Sequence, residues 1–245
     1  MRYDSRVQST NPRVRHVRAP HAIHFPSEAE VPETLLHYEL RTALYMILKH
    51  ALAAKACIGS DQFVYWNAKD PKKCLAPDVF VKLGSPFARF DSWKTWERGA
   101  PELAVEIVSE FDRFERTFEV RLGRYHELGV LELVRFDADG APGKRLRVWD
   151  RLEGDLVERI VEQDVTPCLT LGLFWQVCTA LGFPTALRLS EDEQGERLLP
   201  TKDEAADHAR QAADQARHAA DQARQSAEHA LAAALAEIER LKRER

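Results

Sequence analysis

Two carboxylates stand where an ordinary apolar segment would hold none. Asp78 opens the stretch "APDVFVKL", and Glu106 sits inside "APELAVEIVSEFDR" between Val105 and Ile107, with no basic neighbour beside it. Both stretches alternate in the manner of strands, so the two acids converge if the strands are adjacent and both side chains point to one face. Unaided, two close carboxylates repel, and one would hold a raised pKa. With a cation between them they form the hard oxygen pair that suits Mg²⁺, which takes one or two carboxylates and fills its shell with water and substrate phosphate. Such an ion generates a nucleophilic hydroxide and neutralises charge building on a phosphate. The plainer alternative is an ion pair between Glu106 and an arginine such as Arg121 or Arg135, which would be structural only.

The segments around these residues form a helix, a set of strands, a second helix and more strands. In "PETLLHYELRTALYMILKHALAA", Leu36, Leu40, Leu44, Ile47 and Leu48 recur at helical spacing, which predicts a helix from Pro32 to Ala54 with proline in its first turn. "QFVYW", "APDVFVKLG" and "ELAVEIVS" predict three strands. "RFERTFEVRLGRYHELGV" predicts a helix whose stripe is Phe114, Phe118, Leu122 and Tyr125, with Asp112 and Glu115 at its start and Gly129 as its stop. "VLELVRF" predicts a fourth strand, "DADGAPGK" a turn into "RLRVW", "DLVERIVE" one more strand, and "LGLFWQVCTAL" a short closing helix. The order is that of an α/β or α+β fold with one mixed sheet.

Four regions follow from this pattern. Residues 1–30 carry five arginines against one aspartate within the first twenty positions, and predict a mobile basic segment. Residues 31–189 form the mixed domain. Residues 190–202, "SEDEQGERLLPTK", hold Gly195 and Pro200 and form a linker. Residues 203–245 repeat every seven: Ala206, Ala213, Ala220, Ala227 and Ala234 share one position, and Ala209, Ala216, Ala223 and Ala230 follow three later. That is a heptad signature with a thin alanine seam, strengthened at its end by Leu231, Leu235, Ile238 and Leu241. It predicts self-association through a coiled coil, or else a solitary helix of high propensity.

Composition excludes several classes. Of the 245 residues, 44% are hydrophobic and 30% charged, and no apolar run approaches the roughly 18 to 20 residues of a membrane helix. The basic start lacks the apolar core of a secretory signal. Cys57, Cys74, Cys168 and Cys178 form no metal-finger spacing, which predicts reduced thiols in a cytoplasm. A net charge of −4 argues against nucleic-acid binding by bulk charge, so any such contact must be a local patch. One candidate is "DSWKTWERGAPE", where Trp93 and Trp96 alternate with Lys94 and Arg98. That loop could stack on bases or grip a backbone, or simply cap the core.

The ordered set "PDVFV", "PELAVEIVS" and a helix ending "RYHELGVLEL", spread over residues 31 to 185, resembles the Uma-type family of restriction endonucleases in the PD-(D/E)XK nuclease superfamily. The resemblance implies a restriction-endonuclease-like core, a mixed sheet flanked by helices with the site at one edge, and cleavage of DNA phosphodiesters that depends on Mg²⁺ or Mn²⁺. Asp78 matches the motif aspartate and Glu106 the motif glutamate, both implied metal ligands. A first-helix glutamate often completes such sites; Glu39 is the candidate, with His37 beside it.

One position departs from the pattern. The superfamily lysine two residues after the glutamate is Val108 here. Uma-type proteins move that lysine to the next helix, four residues before a tyrosine and eight before a glycine, and counting back from Tyr125 and Gly129 gives Arg121. Arginine stays protonated where lysine can shed its proton. Arg121 could stabilise a phosphate in the transition state or close the site by pairing with Glu106. Lys82, four residues after Asp78 on the same strand face, is a second source of the cation, or a snorkelling surface lysine. Two functions remain open. One is a metal-dependent endonuclease with Arg121 in place of lysine. The other is a degenerate nuclease fold that binds DNA or protein as a scaffold and assembles through its coil.

Overall fold

The computed structural model describes residues 34–109 and 115–243. The basic segment 1–30, the first turn at Pro32, the Asp112 cap and Phe114 lie outside them. In chain order the elements are α1 (Leu35–Leu52), β1 (Ala56–Gly59), β2 (Val64–Tyr65), β3 (Cys74–Leu75), β4 (Val79–Leu83), β5 (Trp93–Lys94), α2 (Thr95–Arg98) and β6 (Leu103–Ile107). There follow α3 (Glu115–Leu128), β7 (Glu132–Phe136), β8 (Leu146–Leu152), β9 (Asp155–Arg159), β10 (Val165–Cys168), β11 (Leu173–Ala180), β12 (Phe183–Ser190) and α4 (Lys202–Arg243).

The main sheet has six strands in the order β1-β4-β6-β7-β8-β9. It is mixed: β6 and β7 run parallel, and their other neighbours in the sheet are antiparallel. Alternation divides its residues between two helices. Val79, Val81, Leu103, Val105 and Ile107 face Leu40, Leu44 and Leu48 of α1. Phe80, Ala104 and Leu133 face Phe118, Tyr125 and Leu128 of α3. Val79 is paired with Val105 and Phe80 with Ala104, so the next step along both strands brings Asp78 and Glu106 to the α3 side of the sheet.

The helix boundaries have local causes. Thr34 caps α1, its Oγ1 accepting from the His37 amide at 3.3 Å, and this starts the helix at Leu35. Gly129 follows α3 with φ +92° and its amide donates to the Tyr125 carbonyl at 3.1 Å, the left-handed stop expected of it.

The closing helix predicted at "LGLFWQVCTAL" is instead one strand, β11, followed by a turn. β11 pairs antiparallel with both β10 and β12. Leu181 and Gly182, at φ +59° and +82°, make the two-residue turn with the twist that antiparallel strands favour. An apolar run with no clear period leaves helix and strand undecided, and here the aromatic Trp175 and the β-branched Val177 side with the sheet. Buried Glu132 in β7 joins this small sheet to the large one, accepting from the Thr170 amide at 2.8 Å and the Trp175 indole at 3.3 Å.

α4 runs for 42 residues without a buried side chain. Its first turn is held twice. Thr201 and Glu204 cap one another, with the Thr201 amide donating to Glu204 Oε2 at 2.8 Å and the Glu204 amide to Thr201 Oγ1 at 3.1 Å; this reciprocal box is legible in "TKDE". Buried Arg188 of β12 then grips the same carboxylate at 3.0 Å. Partial burial would raise the Glu204 carboxyl, but the Thr201 amide and the Arg188 guanidinium outweigh it and hold its pKa below the ordinary value. Among the described residues no helix is long and apolar enough to cross a membrane.

Candidate active site

Asp78 and Glu106 sit at one end of the sheet, where β4 begins and β6 finishes, and they are only 7% and 4% exposed. Burying two acids at this depth requires partners for their oxygens. For Asp78 one partner is the backbone of the other strand, since the Ile107 amide donates to its Oδ2 at 2.6 Å. His37, from the first turn of α1, places Nε2 at 3.3 Å from that same Oδ2 and at 2.9 Å from the Ile107 carbonyl oxygen. Both partners are acceptors, so Nε2 carries the proton. One ring N–H therefore occupies a point on which two hard oxygens converge.

Glu106 is held from α3. Arg121 Nη1 lies 2.9 Å from its Oε2, and the Tyr125 hydroxyl donates to its Oε1. Arg121 and Tyr125 are four apart and so share a helix face. Tyr125 is fully enclosed. Burial first, then the Glu106 carboxylate, push its phenol well above the ordinary value, with Asp78 adding in the same sense and Arg121 opposing. It is a hydrogen-bond donor at any working pH. Arg121 differs from it in access, because a third of its side chain is open to solvent. Arg135, paired with Glu106 in the β6–β7 register, lays its guanidinium 4.6 Å from the Phe118 ring centroid.

The structure therefore gathers Asp78, Glu106, Arg121, Tyr125 and His37. Tyr125 had entered the sequence reading only as a counting mark for Arg121 and as part of the apolar stripe. The carbonyl of Ile107 carries no side-chain signal at all. A further string of hydrogen bonds steadies the Asp78 end: Arg41 Nη1 donates to Ser60 Oγ at 3.1 Å, and Ser60 Oγ donates to the Asp78 carbonyl at 2.8 Å.

Other candidates lie elsewhere. Lys82 shares the strand face with Asp78 but is four residues away, about 13 Å along the strand. There it pairs with Glu102, whose Oε2 accepts from the Leu83 amide at 2.7 Å, so it is no second source of the cation. Glu39 is exposed on α1 while its neighbour His37 reaches the carboxylates. Trp93 cannot stack on a base: it is 0% exposed, donates to the Gly99 carbonyl at 2.8 Å and packs edge-on against Phe80. Arg98 lies over that indole and over Phe90, Lys94 reaches Glu97 at 3.6 Å, and Trp96 is exposed.

No group of three His, Cys, Asp or Glu side chains able to hold a metal ion occurs among the described residues. The donor chemistry nevertheless fits a hard divalent cation. Adjacent strands bring two buried carboxylates to one end of the sheet, and Asp78 Oδ2 and the Ile107 carbonyl already converge on one proton donor.

The model of a family named Uma2, described as "Putative restriction endonuclease", matches residues 28–181. Among solved structures, a "putative nuclease belonging to DUF820" from Anabaena variabilis shares 13% identity over 55% of this chain and 70% of its own, with a TM-score of 0.35. No curated protein matches.

Proposed function

The chain belongs to the Uma2 family, and we propose that it is a metal-dependent endonuclease that hydrolyses DNA phosphodiester bonds at Asp78 and Glu106. The observation that carries this reading is the delivery of those two acids by adjacent strands to one end of one sheet face, the Ile107 amide fixing Asp78 beside Glu106. Asp78, Glu106 and the Ile107 carbonyl would hold Mg²⁺ or Mn²⁺. Such an ion, when bound, supplies an activated water and charge neutralisation at the phosphate. Arg121, on the carboxylate but with a third of its side chain open to solvent, is placed to hold a phosphate oxygen and to stabilise its growing charge. It cannot take a proton from water as lysine can. Tyr125 orients Glu106.

A second reading has its own observation. Glu106 meets a guanidinium on one oxygen and a phenol on the other, which is also how a site no longer used for catalysis would be stabilised. Supercoiled plasmid separates the two. The wild-type protein is expected to nick it with Mg²⁺ or Mn²⁺ and to stop when the ion is chelated, and Arg121→Lys is expected to retain cleavage. If only Arg121→Lys cuts, the fold is a nuclease disarmed at one position. If neither cuts, the scaffold reading takes its place.

The exposed α4 supports self-association as part of this function, because cutting both strands of a duplex takes two sites. Leu231, Leu235, Ile238 and Leu241 leave about half of their surface open at 62%, 54%, 48% and 51%, and a second copy would cover it. Sedimentation of the full chain is expected to give a dimer that Leu231→Ser with Ile238→Ser converts to a monomer, with the helical content of the domain unchanged. A wild-type monomer at tens of micromolar would leave α4 as a solitary helix.

A further inference from the structure

A concave feature is formed by α1, β1 and the loops that follow β1 and β4. It encloses about 450 Å³ and is lined by Tyr45, Lys49, Gln62, Phe87, Arg89 and Phe90, among others. Its size is that of a small-molecule site. Lys49 Nζ stands 4.6 Å from the Phe87 ring centroid and 5.2 Å from that of Tyr45, so the charge is set between two rings. Phe87 is 39% exposed, large for a phenylalanine with packing as its whole role. The lining carries two cations, Lys49 and Arg89, against one carboxylate, Asp91.

This cavity is wired to the active site. Gln62 accepts through Oε1 from the Ser60 amide at 2.8 Å, and its amide nitrogen is the donor that remains. The same Ser60 donates through Oγ to the Asp78 carbonyl. A single residue thus joins Gln62 of the cavity lining to the residue that opens β4.

We propose that this cavity takes one unpaired nucleotide of the DNA strand that is cut, an inference that rests on the nuclease reading. Phe87 and Tyr45 offer ring faces for the base, Lys49 and Arg89 offer charge to its phosphates, and Gln62 offers a donor to the base edge. Rings serve any base, since every base has a π face. A base inside an intact duplex has both faces covered, so occupancy requires an unpaired or extruded nucleotide. The site therefore favours single-stranded, frayed or gapped DNA.

Fluorescence anisotropy of the full chain in EDTA, where nothing is cut, tests this with a labelled single-stranded oligothymidylate and a duplex of equal length. The wild type is expected to bind the single strand more tightly. Phe87→Leu keeps an apolar side chain on the loop but removes the ring, and is expected to weaken single-strand binding by roughly 5-fold or more while leaving duplex binding unchanged. Lys49→Gln is expected to lower the slope of log affinity against log salt by about 0.7 for the single strand. Equal binding by the wild type and Phe87→Leu, both with unchanged melting temperatures, would overturn the proposal, and so would a preference for duplex. The assay is independent of cleavage. Plasmid cutting with no effect of Phe87→Leu on binding sinks the pocket alone, and a Phe87-dependent single-strand preference in a protein that never cuts sinks the nuclease reading alone.

Discussion

Glu106→Gln is expected to give a folded protein that has lost plasmid cleavage by at least about 100- to 1,000-fold, the range that follows removal of one preorganised charged contact from a site of this kind. The substitution keeps the volume at the end of β6, and the amide oxygen can still accept from the Tyr125 hydroxyl. It removes the charge that Arg121 faces at 2.9 Å and that a divalent cation would need. Because a third of Arg121 is open to solvent, its guanidinium can turn outward and rehydrate. The structural loss is then one buried hydrogen bond weakened and one ion pair gone, about 1 to 3 kcal/mol, or a fall in melting temperature of roughly 2 to 12 °C. Thermal unfolding by circular dichroism and plasmid nicking, run on the same preparation, check both halves. A variant that cuts as the wild type does removes Glu106 from the chemistry. One that fails to fold shows that its charge was holding α3 to the sheet.

The relation of Glu106 to its surroundings also shows which parts of the fold were legible beforehand. The alternation in "ELAVEIVS" and "APDVFVKL" allowed the two acids a shared sheet face, because side-chain direction in a strand has a period of two, and the pairing of Val79 with Val105 supplies the condition by leaving them level on adjacent strands. The heptad-like stripe of α3 put Arg121 and Tyr125 on a shared face for a similar reason, the helical period. Such rules fix direction, not distance, and the errors follow that division. Lys82 points to the correct face of β4 and is still at its wrong end, with Glu102. Glu39 and His37 were read together, yet residues two apart on a helix face differently, and the structure turns His37 to the carboxylates. The charged neighbours of Trp93 leave base stacking and core capping equally open, and the structure decides for the core: its indole has a backbone acceptor at Gly99 and a ring partner in Phe80, neither of which is visible as a local pattern. The Ile107 amide and carbonyl, which hold Asp78 and meet His37, could be found only by folding the chain, since every residue has both groups.

Arg121→Ala is expected to be the most destabilising change at the site, and its response to metal separates the two uses of Glu106. Truncation leaves the carboxylate, 4% exposed, without the guanidinium and with the Tyr125 hydroxyl still on Oε1. Breaking a buried pair costs about 3 to 5 kcal/mol, and the partial exposure of Arg121 sets the expectation at the low end, a drop of about 6 to 12 °C in melting temperature. A divalent cation that uses Glu106 as a ligand would supply the missing charge. At a concentration about 100 times its dissociation constant it restores about 2.7 kcal/mol, so Mn²⁺ is expected to raise the melting temperature of Arg121→Ala more than that of the wild type, in which the guanidinium competes for the same carboxylate. Asp78→Ala added to Arg121→Ala is expected to abolish the rescue, because it removes the second acid. Equal shifts in wild type and Arg121→Ala would mean that any ion binds away from Glu106, and the carboxylate would then be a structural anchor for α3. Rescue confined to Arg121→Ala would mean that the arginine at this position occupies the ion's place in the resting protein. Metal would then have to displace it before any phosphate is cut.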